Sequence, residues 1–238
     1  FFTNFDHLIT LHQRKLEHLN LQKKGLLQKM FPKKGEVVPE IRFPGFTDPW
    51  EQHTLGELSE FSDIDHRMPA SQRDGIPYIM TGDFMPNGGF DFDNAKKISR
   101  EDYEQLARKT HPRLGDSIMA RYASVGAVHY VDTNRQFLVS YSCTILHPNS
   151  QVQRRFLFYL LQSPSVQNQI KINSKTGSQA NIGINDLKTF IRTRVPVLAE
   201  QKKIAYILQQ LDHLITLNQR KLEHLQLQKK GLLQQMFC

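Results

Sequence analysis

At 238 residues the chain is long enough to bury one or two cores, and its formal charge of +8 with a pI near 9.5 tilts the odds toward an anionic partner. Its two cysteines, Cys143 and Cys238, are too few and too far apart for a disulfide framework or a structural zinc site. No apolar run reaches membrane-spanning length and "FFTNFDH" lacks the order of a signal peptide, so a reduced, cytoplasmic setting is expected. Without an initiator Met, Phe1 is expected to lie inside a longer parent chain or to begin a processed one.

Residues 5–31, "FDHLITLHQRKLEHLNLQKKGLLQKMF", predict the first element. Phe5, Ile9, His12, Leu16, Leu19, Lys23, Leu26 and Met30 fall on a heptad lattice, giving a helix with a narrow apolar seam. "FPKKGEVVPEIRFPGFTDPW" (31–50) is dense in Pro and Gly and reads as a helix stop followed by a linker. Strand-like runs follow at "GIPYIMTGDF" (75–84), "DSIMARYASVGAVHYV" (116–131) and "FLVSYSCTIL" (137–146). "SREDYEQLARKT" (99–110) reads as a helix with a Ser N-cap and an acidic first turn. "QVQRRFLFYLLQSPSVQNQI" (151–170) is an amphipathic helix broken at Pro164, and "INDLKTFI" (184–191) is a further short helix or strand. This middle region is α+β.

The last element repeats the first. "LDHLITLNQRKLEHLQLQKKGLLQQMF" (211–237) differs from residues 5–31 at four of 27 positions. Its seam runs through Ile204, Leu208, Leu211, Ile215, Asn218, Leu222, Leu225, Lys229, Leu232 and Met236. A helix from Ala199 to Phe237 would be ~58 Å long. Such a stripe needs another helix, and the other copy is the simplest partner. Both helices meet the middle domain, so an antiparallel coiled coil standing on an α+β domain is expected, with Leu16, Leu19, Leu208, Leu211, Ile215, Leu222 and Leu225 in its core. His12 and Asn218 would fix register at some cost in stability; no ligand spacing supports His12 as a metal ligand. Gly25 and Gly231 cost roughly 1 kcal/mol each against Ala in a helix, and either admit a close neighbour or loosen the last turns.

Charge divides the middle region. Residues 36–95 hold twelve acidic and three basic side chains, and residues 151–194 one acidic and seven basic. Within the basic part, "KINSKTGSQANIG" (171–183) offers Lys171 and Lys175 to phosphates, and Gln179 and Asn181 to base edges. A solvated surface loop accounts for the stretch equally well. Chemistry is harder to find. "SDIDH" (62–66) lacks a second ligand cluster and reads as a solvated turn, and "TGDFMPNGG" (81–89) lacks the Gly-Lys-Ser/Thr ending of a phosphate loop. Neither a dinucleotide fingerprint, a nucleophile elbow nor an Asn-Pro-Pro-Tyr-like motif is present. No cofactor and no metal are expected.

Several stretches together carry a resemblance. "VPVLAEQKKIAYILQQLDHLI" (195–215) sets Pro196, Glu200, Gln201 and Ile204 in a Pro-x-x-x-Glu-Gln approach to a long helix, with Val197 where a second Pro is frequent. "NQRKLEHLQLQKKGLLQQMF" (218–237), "VPEIRFPGFTDPWEQHTLGEL" (38–58), "GIPYIMTGD", "GDSIMARYASVG" and "TGSQANIGINDLKTFIRTRVPV" (176–197) accompany it. With these the chain resembles type I restriction-modification specificity subunits over essentially its whole length. The resemblance implies a first conserved spacer helix (1–31), the second target-recognition domain (32–196) and a second spacer helix (197–238). It implies a non-catalytic subunit that reads one half of a bipartite site in double-stranded DNA and docks methyltransferase (modification) and restriction subunits, without membrane contact. A natural half-subunit would pair as a homodimer. Part of the docking surface is expected on "KKGLLQ(K/Q)MF". On that plan DNA is expected to meet Lys171, Lys175, Ser178, Gln179 and Asn181, the strand-turn residues Arg121 and Tyr122, and Thr81. Arg121 suits bidentate contact with guanine from a loop edge; Tyr122 suits stacking or a phosphate bond, with core packing the alternative. The competing expectation is a coiled-coil scaffold whose central domain binds protein or a small ligand.

Overall fold

The computed structural model describes residues 2–236 apart from 87, 176, 178 and 179. Helix α1 spans Phe2–Lys29. Its end is held because the next two residues, Met30 and Phe31, are buried in the domain core, where the Phe31 ring packs 5.5 Å from Phe156 and edge-on to Trp50. Strand β1 (Glu51–Thr54) leads into the single turn α2 (Leu55–Leu58), which Thr54 and Glu57 close as a capping box. Then come β2 (Ser59–Ser62), β3 (Ile76–Ile79) and a 3-10 turn at Thr81–Asp83. Strand β4 (Lys96–Ile98) precedes α3 (Arg100–Ala107), whose N-cap Ser99 accepts from Asp102 N at 3.0 Å. Strands β5 (Ser117–Ala120), β6 (Val128–Tyr130), β7 (Leu138–Val139) and β8 (Cys143–Pro148) follow. Helices α4 (Arg154–Gln162) and α5 (Pro164–Asn173) are split where Pro164 starts the second helix, and α6 (Ile184–Phe190) is a short helix. Strand β9 (Arg192–Val195) and the long α7 (Leu198–Met236) complete the chain.

The strands form three small sheets. β2, β8, β5 and β6 make an antiparallel four-stranded sheet, while β3 lies between β4 and β7, antiparallel to the first and parallel to the second. β1 pairs with β9, from Glu51 opposite Val195 to Thr54 opposite Arg192. That pairing was not legible in the sequence, and it matters: it ties the start of the domain to its end. The exit of α1 and the origin of α7 are thereby side by side, and the two helices must run antiparallel.

Along the coil, Leu19, Leu208, Leu211 and Leu222 are buried, while Leu16, Ile215 and Leu225 are half-buried. The seam has an internal two-fold axis. Residue n of the first copy corresponds to n + 206 of the second, and His12 Nδ1 lies 3.2 Å from the amide oxygen of Asn218, its own counterpart. On either side, Lys23 pairs with Asp212 at 2.7 Å and its counterpart Lys229 pairs with Asp6, the counterpart of Asp212. A near-identical sequence packed antiparallel against itself must meet its counterpart residue at one level. Here that level holds two different polar groups, so an imidazole faces an amide. Gly25 and Gly231 have open space where a Cβ would stand, so neither admits a close neighbour among the described residues.

The domain grips this coil at one end. The Glu200 carboxylate, fully buried, takes two hydrogen bonds from Arg42, both 2.8 Å. Buried Gln201 accepts from Gln153 N at 2.7 Å and donates to the carbonyls of Gln151 and Pro196. Tyr159 of α4 donates to Asp212 at 2.7 Å, where Lys23 also arrives. The Glu-Gln pair noted in the sequence is therefore the anchor of the long helix. No helix among the described residues is long and apolar enough to cross a membrane.

Candidate nucleic-acid interface

Four loops meet along one edge of the domain, joined by a continuous run of backbone hydrogen bonds. Ser140 N donates to Ile79 O at the end of β3, beside the Thr81 turn, at 2.8 Å. Arg121 N donates to Ser142 O at 2.8 Å, and Arg121 O accepts from Ile182 N at 3.0 Å. Asn181 and Lys175 exchange the last pair, and Asn181 also bridges to Tyr122. The turn after β5 and the polar loop after α5, some 60 residues apart in sequence, thus stand in contact.

Local geometry sharpens the β5–β6 turn. Ala123 sits at φ +58° and Gly126 at φ +87°, the left-handed region that a non-glycine residue occupies only where its surroundings insist. A Cβ on Gly126 would meet Gln167 Oε1 at 2.8 Å. Gln167 in turn donates to Gly126 O at 2.9 Å, so α5 clamps the turn. The tip residues Ala123 and Ser124 are exposed.

The expected contact residues distribute unevenly. Lys171 and Lys175 are exposed at the end of α5 and in the loop beyond; Ile172 between them is 76% exposed, a large apolar group with nothing over it. Asn181 and Tyr122 are half-buried on the shared edge, and Thr81 is half-buried at the head of its 3-10 turn. Ser178 and Gln179 lie outside the described residues.

Arg121 departs from expectation. Rather than projecting from the loop edge, its side chain is 6% exposed and donates through Nη2 to Asp63 at 2.9 Å and to Tyr141 O at 2.8 Å. The cause is long-range: "SDIDH" folds against the turn and supplies a carboxylate that the sequence did not place there. Nor is that stretch a solvated turn. Asp63 also lies 3.3 Å from Lys109 and 3.6 Å from His66, and the His66 ring stacks on Tyr141 with centroids 4.9 Å apart. Asp63, His66, Lys109 and Tyr141 are the members of this edge that sequence reading missed. Only the clustering of Asp and His in residues 62–66 hinted at them.

One other constellation has the residue types of a catalytic triad. Ser62 Oγ lies 3.1 Å from His147 Nε2, and His147 Nδ1 lies 2.9 Å from Asp116. The ring nitrogen makes no aligned hydrogen bond to that carboxylate, and Ser62 Oγ is already engaged by Thr110 at 2.7 Å. A nucleophile needs a base held in line by its third member. This group instead links β2, β5 and β8 to the segment after α3. Among the described residues no cluster of three His, Cys, Asp or Glu side chains could hold a metal ion.

The chain is thus an α+β domain with a polar loop edge, carried on one end of a long self-complementary helix pair. The family described as type I restriction modification DNA specificity domain matches residues 47–227, and the chain belongs to it. Among its relatives, a Methanocaldococcus jannaschii chain named for the MjaX type I restriction enzyme specificity subunit is 28% identical over 196 residues, covering 79% of this chain and 45% of its own length. The type I restriction enzyme MjaVIII specificity subunit of the same organism is 24% identical, covering 97% of this chain and 56% of that protein. In fold, the chain is similar to the S subunit of a type I restriction-modification system from M. genitalium, with a TM-score of 0.65 at 14% identity over 97% of this chain and 57% of that one. The chain spans about half the length of the curated relatives it matches.

Proposed function

We propose that this chain is the recognition-and-spacer half of a type I specificity subunit: residues 32–196 read one half of a bipartite DNA site, and the helices 1–31 and 197–238 set the distance to the other half. The observation that carries the reading is the unbroken family match from the domain into α7. The geometry is compatible with it. The exposed Lys171 and Lys175 would meet phosphates, which give affinity without sequence choice. Asn181 would meet base edges, which give the choice, and Tyr122 would stack on a base or bond a phosphate beside the exposed turn tip at Ala123–Ser124. Ser178 and Gln179, between Lys175 and Asn181 in the sequence, are included as contacts.

The two-fold seam supports the spacer role. The apolar string that buries Met30 and Phe31 in the domain at one end recurs at the other end, with Leu232 and Leu233 as counterparts of Leu26 and Leu27. A second recognition domain, from the parent chain or from a second copy, would meet an equivalent surface there. Exposed leucines also come in counterpart pairs along the coil: Leu8 with Leu214, Leu11 with Leu217, and Leu21 with Leu227. Methyltransferase subunits, and through them a restriction subunit, would dock on these faces together with "KKGLLQ(K/Q)MF". The chain itself carries no chemistry and works in the cytoplasm. Sequencing modified sites in cells that carry this subunit with its methyltransferase tests the reading. The expected result is one bipartite motif, half of which changes when residues 32–196 are exchanged for another recognition domain. Modification that ignores the exchange would refute it.

A further inference from the structure

We propose that Asp63 is a specificity-determining residue of the DNA-reading edge: its carboxylate holds Arg121 back from the surface and offsets Lys109 beside it, withholding these cations from the phosphates of non-cognate DNA. The inference rests on the DNA-recognition reading above and names a residue that regulates that site.

The geometry is that of a carboxylate shared by two cations, with a histidine ring beside them. Asp63 Oδ2 receives Arg121 Nη2 at 2.9 Å and lies 3.6 Å from His66 Nε2, while Oδ1 lies 3.3 Å from Lys109 Nζ. Lys109 is also 3.4 Å from Asp65. Two acidic groups therefore face two cations and the histidine ring. They do so beside the loop edge, because Arg121 is bonded through its backbone to both Ser142 and Ile182 and is followed directly by Tyr122, whose ring lies 5.5 Å from the guanidinium. Arg121 is held by one corner only. Its Nη2 serves Asp63 and the Tyr141 carbonyl, but its Nε is buried without any acceptor among the described residues. A guanidinium normally presents a fork of donors to a two-oxygen acceptor. Here part of that fork is unused, in a group that borders the surface where phosphates would arrive.

A cation free to meet phosphates raises affinity for every duplex alike. A protein carboxylate already bonded to that cation competes with the phosphate. The cation then contributes only where enough other contacts form to displace or share it, so non-cognate binding is weakened more than cognate binding. Discrimination by an internal competitor is a negative element of specificity.

The test uses the full chain assembled with its modification subunits and a random-sequence duplex, with affinity measured across a salt series. Asp63→Asn keeps the shape and removes the charge. It should raise affinity for the random duplex by roughly 3- to 30-fold at moderate salt and steepen the dependence of log K on log salt by about one for each cation released. Adding Arg121→Gln to Asp63→Asn should remove about one of that gain. Lys109→Gln alone should leave the slope unchanged, because Asp63 and Asp65 already occupy this lysine; that arm stands even if Asp63→Asn does not fold. An unchanged slope in folded Asp63→Asn, or a shallower slope in Lys109→Gln, would overturn the proposal. No binding of any duplex by the wild-type assembly would overturn the DNA reading itself, and the proposal with it.

Discussion

The ion pair between Arg42 and Glu200 should be the most sensitive point of the junction between domain and coil. Glu200 is 0% exposed and Arg42 15%, and the pair is bidentate with both bonds at 2.8 Å. Removing one member leaves the other charge largely desolvated with no partner, a change that typically costs ~3–5 kcal/mol, whereas replacing both by apolar groups of similar volume is often neutral. Glu200→Ala should therefore cost ~3–5 kcal/mol. For a chain of this size ~2–4 °C is lost per kcal/mol, so its melting temperature should fall by ~6–20 °C. Glu200→Gln retains a neutral acceptor for Arg42 and should cost less, ~1–3 kcal/mol. The double variant Arg42→Met/Glu200→Leu should recover most of the loss. Urea denaturation of the wild type, Arg42→Met, Glu200→Leu and the double variant gives the coupling energy directly. If the single losses simply add in the double variant, within ~0.5 kcal/mol, the two side chains do not act as a unit and the anchoring argument fails.

Other expectations can be checked on the same material. His129 accepts from Gly89 N at 3.2 Å among Phe84 and Phe90, and burial depresses its pKa to about 4. Its unfolded form gains a proton below ~6.5, so the stability it contributes is complete above that pH and falls by up to ~3 kcal/mol as pH drops toward 4; urea midpoints whose decline over this window is the same in His129→Gln would refute the assignment. Lys175→Ala should weaken binding to all duplexes and lower the salt slope by about one, and a loss confined to the cognate site would make Lys175 a base reader instead. Gly25→Ala and Gly231→Ala should each stabilise the isolated chain by ~1 kcal/mol, since each Cβ would enter open space; a lower melting temperature in either would mean that an unrecognised neighbour packs there.

What the sequence determined by itself is the coil. A heptad seam is a property of residues three and four apart, and two nearly identical seams flanking one domain leave an antiparallel pair as the economical answer. The helix at residues 99–110 and the break at Pro164 were legible for the same reason: capping and proline geometry act within a few residues. The tertiary structure decided the rest. The β1–β9 pairing joins strands some 140 residues apart in the chain, and four-residue strands carry too little alternation to announce themselves. Opposite His12, register rather than composition selected Asn218. At the reading edge, Arg121 carries every local mark of a surface contact, and a carboxylate 58 residues earlier in the chain draws it inward. Whether a charged side chain meets solvent, DNA or a buried counter-ion depends on which distant segment folds against it, and that information is spread over the whole chain rather than held in its neighbours.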